Sequence, residues 1–510
     1  VLSITRSATN IGYTPYNVRV ECDSTKSLPA ISIVGLASKT TEEARDRIRS
    51  ALRNSSLELP PRKYTINLAP ADVPKNDSGL DLAMAVALLA STGQIDNSTI
   101  AAHAYFGELG LNGAIRPTTG LLLKIQTLIA IQDETVVFIS RGNSDEAGLL
   151  ADKIDIYPVD DLRQLYRFII GEIKLQKLSP TVPEPVPQYE PDLSQIIGQH
   201  QAKRALEIAA AGGHNLLMNG PPGSGKTMLA KAMRSLLPVL STDEIIEVTQ
   251  LHGLDGTNGF DVITERPFRS PHHSASMVSL IGGGNQPTPG EISLAHRGVL
   301  FLDELPEYGR QAIESLRQPL EDNVVTIARA SARSTFPANF QLIATQNPCP
   351  CGFATDKTQT CSCTAHQINL YNKKISGPVL DRIDMIVEVG KIQQRKILDH
   401  HQADSELDNE SSATVAQRIV TGRQRQVSRQ GPDIINANLS AKQLKRYCPL
   451  DITSNQLLQT SAEKLNLSVR AIHKIIRVAR TIADLNDEDD IAAPHLAEAL
   501  QFRKRTTFQV

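Results

Sequence analysis

The sequence predicts an α/β protein in three parts: a mixed α+β N-terminal part, a P-loop core on a parallel sheet, and a helical C-terminal part. Three observations predict it. Residues 220–227 spell Gly220-Pro221-Pro222-Gly223-Ser224-Gly225-Lys226-Thr227, a complete GxxxxGKT loop between a short apolar run and a helical pattern. Pro180, Pro183, Pro185, Pro187 and Pro191 forbid helix over 178–192 and favour an extended linker. After about Gly390 the strand signals fade and helical spacing dominates. A chain of 510 residues exceeds what one hydrophobic core can serve, so parts are expected at 1–175, 193–390 and 391–510, with a linker at 176–192.

The N-terminal part alternates short apolar strands (16–20, 31–34, 63–68, 136–140) with helical runs (41–53, 80–91). In the core, 214–219 (HNLLMN) reads as a buried strand and 228–237 as the helix after the loop, with Leu229, Ala232, Met233, Leu236 and Leu237 near helical spacing. That order suits phosphate binding. The glycines let backbone N–H groups close round phosphate oxygens, Lys226 reaches the β and γ phosphates, and the Thr227 hydroxyl can ligate Mg²⁺. A second strand, 298–302 (GVLFL), ends in Asp303-Glu304, where Asp303 is placed to hold Mg²⁺ through its water shell and Glu304 to polarise an attacking water. A third strand, 340–345, runs into Gln346-Asn347. Asn347 can position the water beside the γ phosphate, with a turn-forming Asn before Pro348 as the plainer alternative.

Beyond the core, 411–430, 440–447, 455–465 and 469–484 read as helices, and the acidic run 486–490 as a solvated loop between two of them. Arg418, Arg423, Arg425, Arg429, Lys442, Lys445 and Arg446 are either nucleic-acid contacts or helix surface.

Composition narrows the class. Hydrophobic residues make up 41%, without an apolar run near the length of a bilayer span, and the first residues lack a signal-peptide core, so a cytoplasmic enzyme is expected. The net charge of −2 excludes a uniformly basic nucleic-acid binder, so any DNA contact must come from local patches. Four of the six cysteines cluster as Cys349-Pro-Cys351 and Cys361-Ser-Cys363. They supply the four thiolates of a closed tetrahedral zinc site, although CxC is tighter than the usual spacing; four reduced thiols in a loop remain the alternative.

These elements, in this order, resemble an AAA+ ATPase of the magnesium-chelatase clade, and the wording is closer still to the ComM/YifB family of competence-associated, magnesium-chelatase-like ATPases. The matching text includes ISIVGL (31–36), INLAPADVPK (66–75), RPFRSPHH (266–273), PGEISLAH (289–296), LRQPLE (316–321), NPCPCG (347–352), ISGP (375–378) and RTIADL (480–485). The resemblance implies a homohexameric ring that hydrolyses ATP, with Mg²⁺, to move along single-stranded or branched DNA during natural transformation. It implies Arg382 as the finger offered to a neighbour's nucleotide and Arg470 as a lid arginine reaching a γ phosphate, with plain surface or salt-bridging arginines as the alternative. It also implies a helix-2 insert, roughly 251–289, and a hairpin before the third strand, about 324–339. Arg266, Arg269, Arg329 and Arg333 fall in these segments and are candidate DNA contacts, with solvated loop charge as the alternative. The N-terminal part resembles the Lon-protease C-terminal domain, of ribosomal S5 domain 2-like fold, whose peptidase members use a Ser-Lys dyad. Aligning Pro74-Lys75 puts Gly79 at the nucleophile position, Ser78 one residue early and Lys124 at the dyad lysine, so a non-peptidase module is expected. The rivals are a chelatase-type motor acting on a protein partner and an ATP-dependent peptidase.

Overall fold

The computed structural model describes residues 2–36, 38–131, 135–184, 190–255, 259–284, 287–328, 333–356, 359–391, 410–432 and 434–503. The N-terminal strands are β1 (Ser3–Ile11), β2 (Thr14–Thr25), β3 (Ala30–Val34), β4 (Lys63–Ala69), β5 (Ala104–Tyr105), β6 (Val136–Ser140) and β7 (Asp155–Val159). They form one sheet in the order β3-β4-β2-β1-β5-β6-β7. Its long members pair antiparallel, β1 with β2 and β2 with β4, and the outer pairs are parallel. Along β2 the period of two puts Val18, Val20 and Cys22 inside. That face is covered by α1 (Lys39–Asn54), capped by the Ser38 hydroxyl, and by α2 (Asp81–Ser91), which is buried throughout. α3 (Leu121–Ile129) covers part of the other face.

The core begins with α4 (His200–Gly212), β8 (Leu216–Asn219), α5 (Lys226–Ala232) and α6 (Thr242–Asp255). Then follow β9 (Phe268–Arg269), a small antiparallel ribbon of β10 (Gly282–Gly283) and β11 (Thr288–Pro289), and β12 (Val299–Leu302). The hairpin of β13 (Val324–Ala328) and β14 (Arg333–Pro337), β15 (Gln341–Gln346) and β16 (Met385–Glu388) complete it. Five of these strands pair in parallel in the order β9-β12-β15-β8-β16. β8 and β12 are buried along their whole length, which explains why they read as unbroken apolar runs.

The insertion expected over 251–289 occupies only the later part of that span. α6 runs on to Asp255 and β9 is an edge strand of the main sheet, so the additional ribbon and the helix Met277–Ile281 come after β9, ahead of β12.

The C-terminal helices α7 (Ser412–Gln430), α8 (Val469–Leu485) and α9 (Ala493–Gln501) share one core with this sheet, where Val415, Ile419, Ile475, Val478 and Leu496 join Leu216, Met218, Ile343 and Val387. The four α7 basic residues are all engaged by groups of this chain, three of them against its interior and Arg425 at the surface. Arg429 grips Asp484 at 2.7 and 2.8 Å, Arg418 grips Glu207 at 2.7 Å, Arg425 binds Asp487 at 2.5 Å, and Arg423 donates to the Ala210 carbonyl at 2.8 Å. Asp487, from the acidic run expected as a solvated loop, is one of those partners and remains largely exposed. Lys442, Lys445 and Arg446 are exposed.

α6 also closes the open face of the N-terminal sheet: Ile245, Ile246 and Val248 pack with Ala8, Ala104, Val137 and Ile156. At about 1.5–3 kcal/mol for each fully buried aliphatic side chain, this contact is a shared core and not a tether. Among the described residues no helix is long and apolar enough to cross a membrane.

Candidate active site

The parallel order places the C-terminal ends of β12, β15 and β8 side by side, with Leu302 opposite Ala344 and Asn219 opposite Gln346. Ligands of such sheets collect beyond these ends. The loop after β8 runs through Gly223 (φ +73°) and Gly225 (φ +89°), left-handed conformations that a Cβ disfavours, and these turns aim its N–H groups inward. The Gln199 side chain braces the loop, donating to the Ser224 carbonyl at 3.0 Å and to the Gly390 carbonyl at 2.7 Å.

Lys226 is buried, and its Nζ donates to the carbonyls of Gly220 (2.6 Å) and Pro221 (2.9 Å) and to Asn347 Oδ1 (3.2 Å). Burial pushes its ammonium below the ordinary lysine value, opposed by the Asp303 and Glu304 carboxylates. A buried ammonium in contact with neutral oxygens is short of countercharge, and phosphate oxygens supply it. Thr227 Oγ1 lies 3.0 Å from Asp303 Oδ2, so the two expected Mg²⁺ ligands already meet. The residues therefore fit a magnesium nucleotide.

Thr345, which the sequence reading passed over, organises both carboxylates. Its hydroxyl donates to Asp303 Oδ1 at 2.5 Å and accepts the Glu304 N–H at 2.8 Å. Glu304 is held at φ +52°, a conformation costing a non-glycine residue on the order of 1–3 kcal/mol, and its Oε1 accepts from Asn347 Nδ2 at 3.3 Å. Asn347 thus touches both the lysine and the acid, beyond what a turn former needs.

Arg382 and Arg470 come together elsewhere. Arg382 Nη2 binds Glu321 and its Nη1 donates to the Pro378 carbonyl at 2.8 Å, while Arg470 Nη2 lies 3.8 Å from the other Glu321 oxygen. These three residues line a cavity of about 1180 Å³ together with Lys474 and Arg477, and none of residues 220–227 lines it. Arg470 is therefore grouped with Arg382 and not with its own chain's P-loop.

The candidate DNA arginines divide. Arg266 donates to the Pro238 and Arg297 carbonyls at 2.6 Å each and pairs with Glu244 at 2.9 Å. Arg269, on β9, clasps Glu291 in a bidentate pair at 2.7 and 2.8 Å. Both are engaged by partners in this chain, unlike the free arginines that a DNA contact or a solvated loop charge would need. Arg333 is exposed at the start of β14, and Arg329 lies outside the described residues.

The four clustered cysteines converge, their Sγ atoms all within 4.8 Å of one another. In the N-terminal part Lys124 is buried against the Asp77 carboxylate and the Thr119 carbonyl (2.9 Å). A Cβ on Gly79 would fall 2.8 Å from Thr118 Cγ2, so a nucleophile side chain there would require Thr118 to shift.

Comparison with known proteins agrees with this geometry. The family model "Magnesium chelatase, subunit ChlI" matches residues 192–397, "Subunit ChlI of Mg-chelatase" matches 20–143, and "Magnesium chelatase, subunit ChlI C-terminal" matches 409–503. The chain is 42% identical over 507 residues to competence protein ComM of Haemophilus influenzae, covering 98% of this chain and 97% of that one. It is 41% identical over 504 residues to the uncharacterized protein YifB of Escherichia coli, covering 98% and 97%. Lon protease 2 of Bacillus subtilis is 25% identical over 223 residues, covering 42% of this chain and 38% of that one. With its P-loop, paired strand-end carboxylates and near full-length identity, the chain belongs to the ComM/YifB family of magnesium-chelatase-like AAA+ proteins, whose common activity is ATP hydrolysis.

Proposed function

We propose that this protein is a ring-forming, ATP-driven DNA motor, a hexamer that migrates branched or single-stranded DNA during natural transformation. The observation that carries the ring is the division of the site: Lys226, Thr227, Asp303, Glu304 and Asn347 assemble within one chain, while Arg382 and Arg470 share Glu321 away from that chain's P-loop. A head-to-tail interface that closes on itself brings the second group onto a neighbour's first.

In this mechanism the 220–225 loop and Lys226 bind the phosphates, and Thr227 and Asp303 would hold Mg²⁺, which would supply charge neutralisation for the phosphates. Glu304 accepts a proton from the attacking water, which Asn347 orients, and the neighbour's Arg382 and Arg470 balance the charge on the transferred phosphoryl group. DNA as substrate is supported by the name of the competence relative and by the exposed hairpin residue Arg333; Arg266 and Arg269 take no part in it. A chromosomal substrate and an ATP supply set this work in the cytoplasm. The resident cofactors are ATP and Mg²⁺, with zinc on Cys349, Cys351, Cys361 and Cys363. The N-terminal part is a Lon-like module without peptidase chemistry, a reading supported by the crowding at Gly79 and the Lys124–Asp77 pair.

Strand exchange on a mobile three- or four-way junction tests the motor. Wild type should drive it with ATP and Lys226→Ala should not. Equal activity in the two sinks the ATP-driven reading, and an ATPase that ignores DNA but responds to a protein partner replaces it with a chelatase-type motor.

A further inference from the structure

The loop after β15 carries the cysteine cluster and touches the nucleotide loop. Cys349 Sγ lies 3.4 Å from Cys351 Sγ and 3.7 Å from Cys361 Sγ, and Cys351 Sγ lies 3.5 Å from Cys361 Sγ. All four are free thiols, and these separations exceed a disulfide bond. A zinc ion with bonds of about 2.3 Å sets tetrahedral ligands about 3.8 Å apart, close to what is found. Multinuclear iron–sulfur clusters hold their thiolates further apart. The backbone N–H groups of Cys351 and Cys363 also point at sulfur, reaching Cys363 Sγ and Cys361 Sγ at 3.4 Å each. Such bonds delocalise thiolate charge around a metal.

The second observation is where the loop rests. Gly352, between the two CxC pairs, has φ +87°, and a Cβ there would lie 2.6 Å from Cδ and 3.0 Å from Cγ of Pro222 in the P-loop. On one side of it, Asn347 precedes Cys349 by two residues and binds Lys226. On the other, Asp356 pairs with Lys391 at 2.6 Å, just past the Gly390 carbonyl to which Gln199 ties the P-loop. The cysteine loop, the β16 end and the P-loop therefore form a closed circuit of contacts.

We propose that Cys349, Cys351, Cys361 and Cys363 bind one structural Zn²⁺ whose occupancy holds Gly352 against Pro222 and so maintains the nucleotide-binding shape of the P-loop. Four thiolates close the coordination shell, leaving no position for a substrate, so the ion acts through the fold and not as a Lewis acid. The proposal rests on the reading of this site as an ATP site, and the experiment separates the two.

Full-length protein is assayed for metal by mass spectrometry and for affinity toward a fluorescent ATP analogue, before and after chelation, with circular dichroism checking that the chelated chain stays folded. The expected results are one zinc per chain and, on its removal, nucleotide binding weaker by about tenfold. Gly352→Ala, which keeps every cysteine, should retain zinc and show a similar loss; Cys361→Ser with Cys363→Ser should lose both. Absence of zinc, or iron in its place, overturns the metal assignment. Zinc whose removal leaves affinity unchanged, or a Gly352→Ala chain that binds nucleotide like wild type, overturns the coupling. A zinc-loaded wild type that binds no more nucleotide than Lys226→Ala would instead refute the ATP site, whatever the metal does.

Discussion

Around Lys226, side chains from three adjacent strand ends already bond one another, whereas Arg382 and Arg470 bind a carboxylate, Glu321, that no phosphate chemistry requires. The first group is close to its working geometry before any nucleotide arrives. In the proposed ring the second waits with its charge balanced by a placeholder, so that a subunit alone would carry a binding site and a pair of subunits a hydrolytic one.

The sharpest way to break this comparison is Arg382→Ala. ATP turnover should fall about 10³- to 10⁵-fold while nucleotide binding persists, and mixing this variant with Lys226→Ala subunits should restore part of the turnover. Loss of nucleotide binding by isolated Arg382→Ala chains would assign the arginine to its own subunit's site. Glu304→Gln should bind nucleotide normally and lower turnover by about 10²- to 10⁴-fold, measured by phosphate release. Thr345→Val removes the hydroxyl that organises both carboxylates; a loss of about 1–3 kcal/mol, roughly five- to 150-fold in turnover, is expected, and wild-type rates would mean that the strand ends hold Asp303 and Glu304 unaided. The smallest effect belongs to the placeholder. Glu321→Ala releases both arginines from a half-exposed ion pair worth about 0–1 kcal/mol, so nucleotide-dependent assembly should occur at up to about fivefold lower protein concentration by light scattering. Assembly that instead needs more protein would make Glu321 a structural support.

Much of the first group was legible because its chemistry lies in contiguous strings: the P-loop after an apolar strand, Asp303-Glu304 after another, Asn347 after a third. The second group was legible by resemblance alone, and Glu321 not at all, since it meets Arg382 from 61 residues away. Arg266 and Arg269 read as candidate DNA contacts for the same reason. Their carboxylates, Glu244 and Glu291, each sit 22 residues off, and no spacing rule links an edge strand to a helix start. The inward-facing α7 arginines show that a basic helix face can be the interior face when Glu207 and Asp484 wait beneath it. Thr345 carries no such mark, because a threonine inside an apolar strand looks like β-propensity, not like the hydroxyl that holds Asp303 and Glu304 in place.

The turn between β1 and β2 sits on the hairpin that carries Arg333. The Tyr13 N–H donates to Ser334 Oγ at 3.2 Å, and the Tyr13 hydroxyl reaches Gln250 Oε1 on α6 at 3.0 Å. Seen as machinery, the hairpin is geared: it cannot shift along its own axis without slipping that tooth or dragging the N-terminal sheet with it. In the proposed motor, a stroke that moves the hairpin would have to carry a whole sheet and its helices along or part from them.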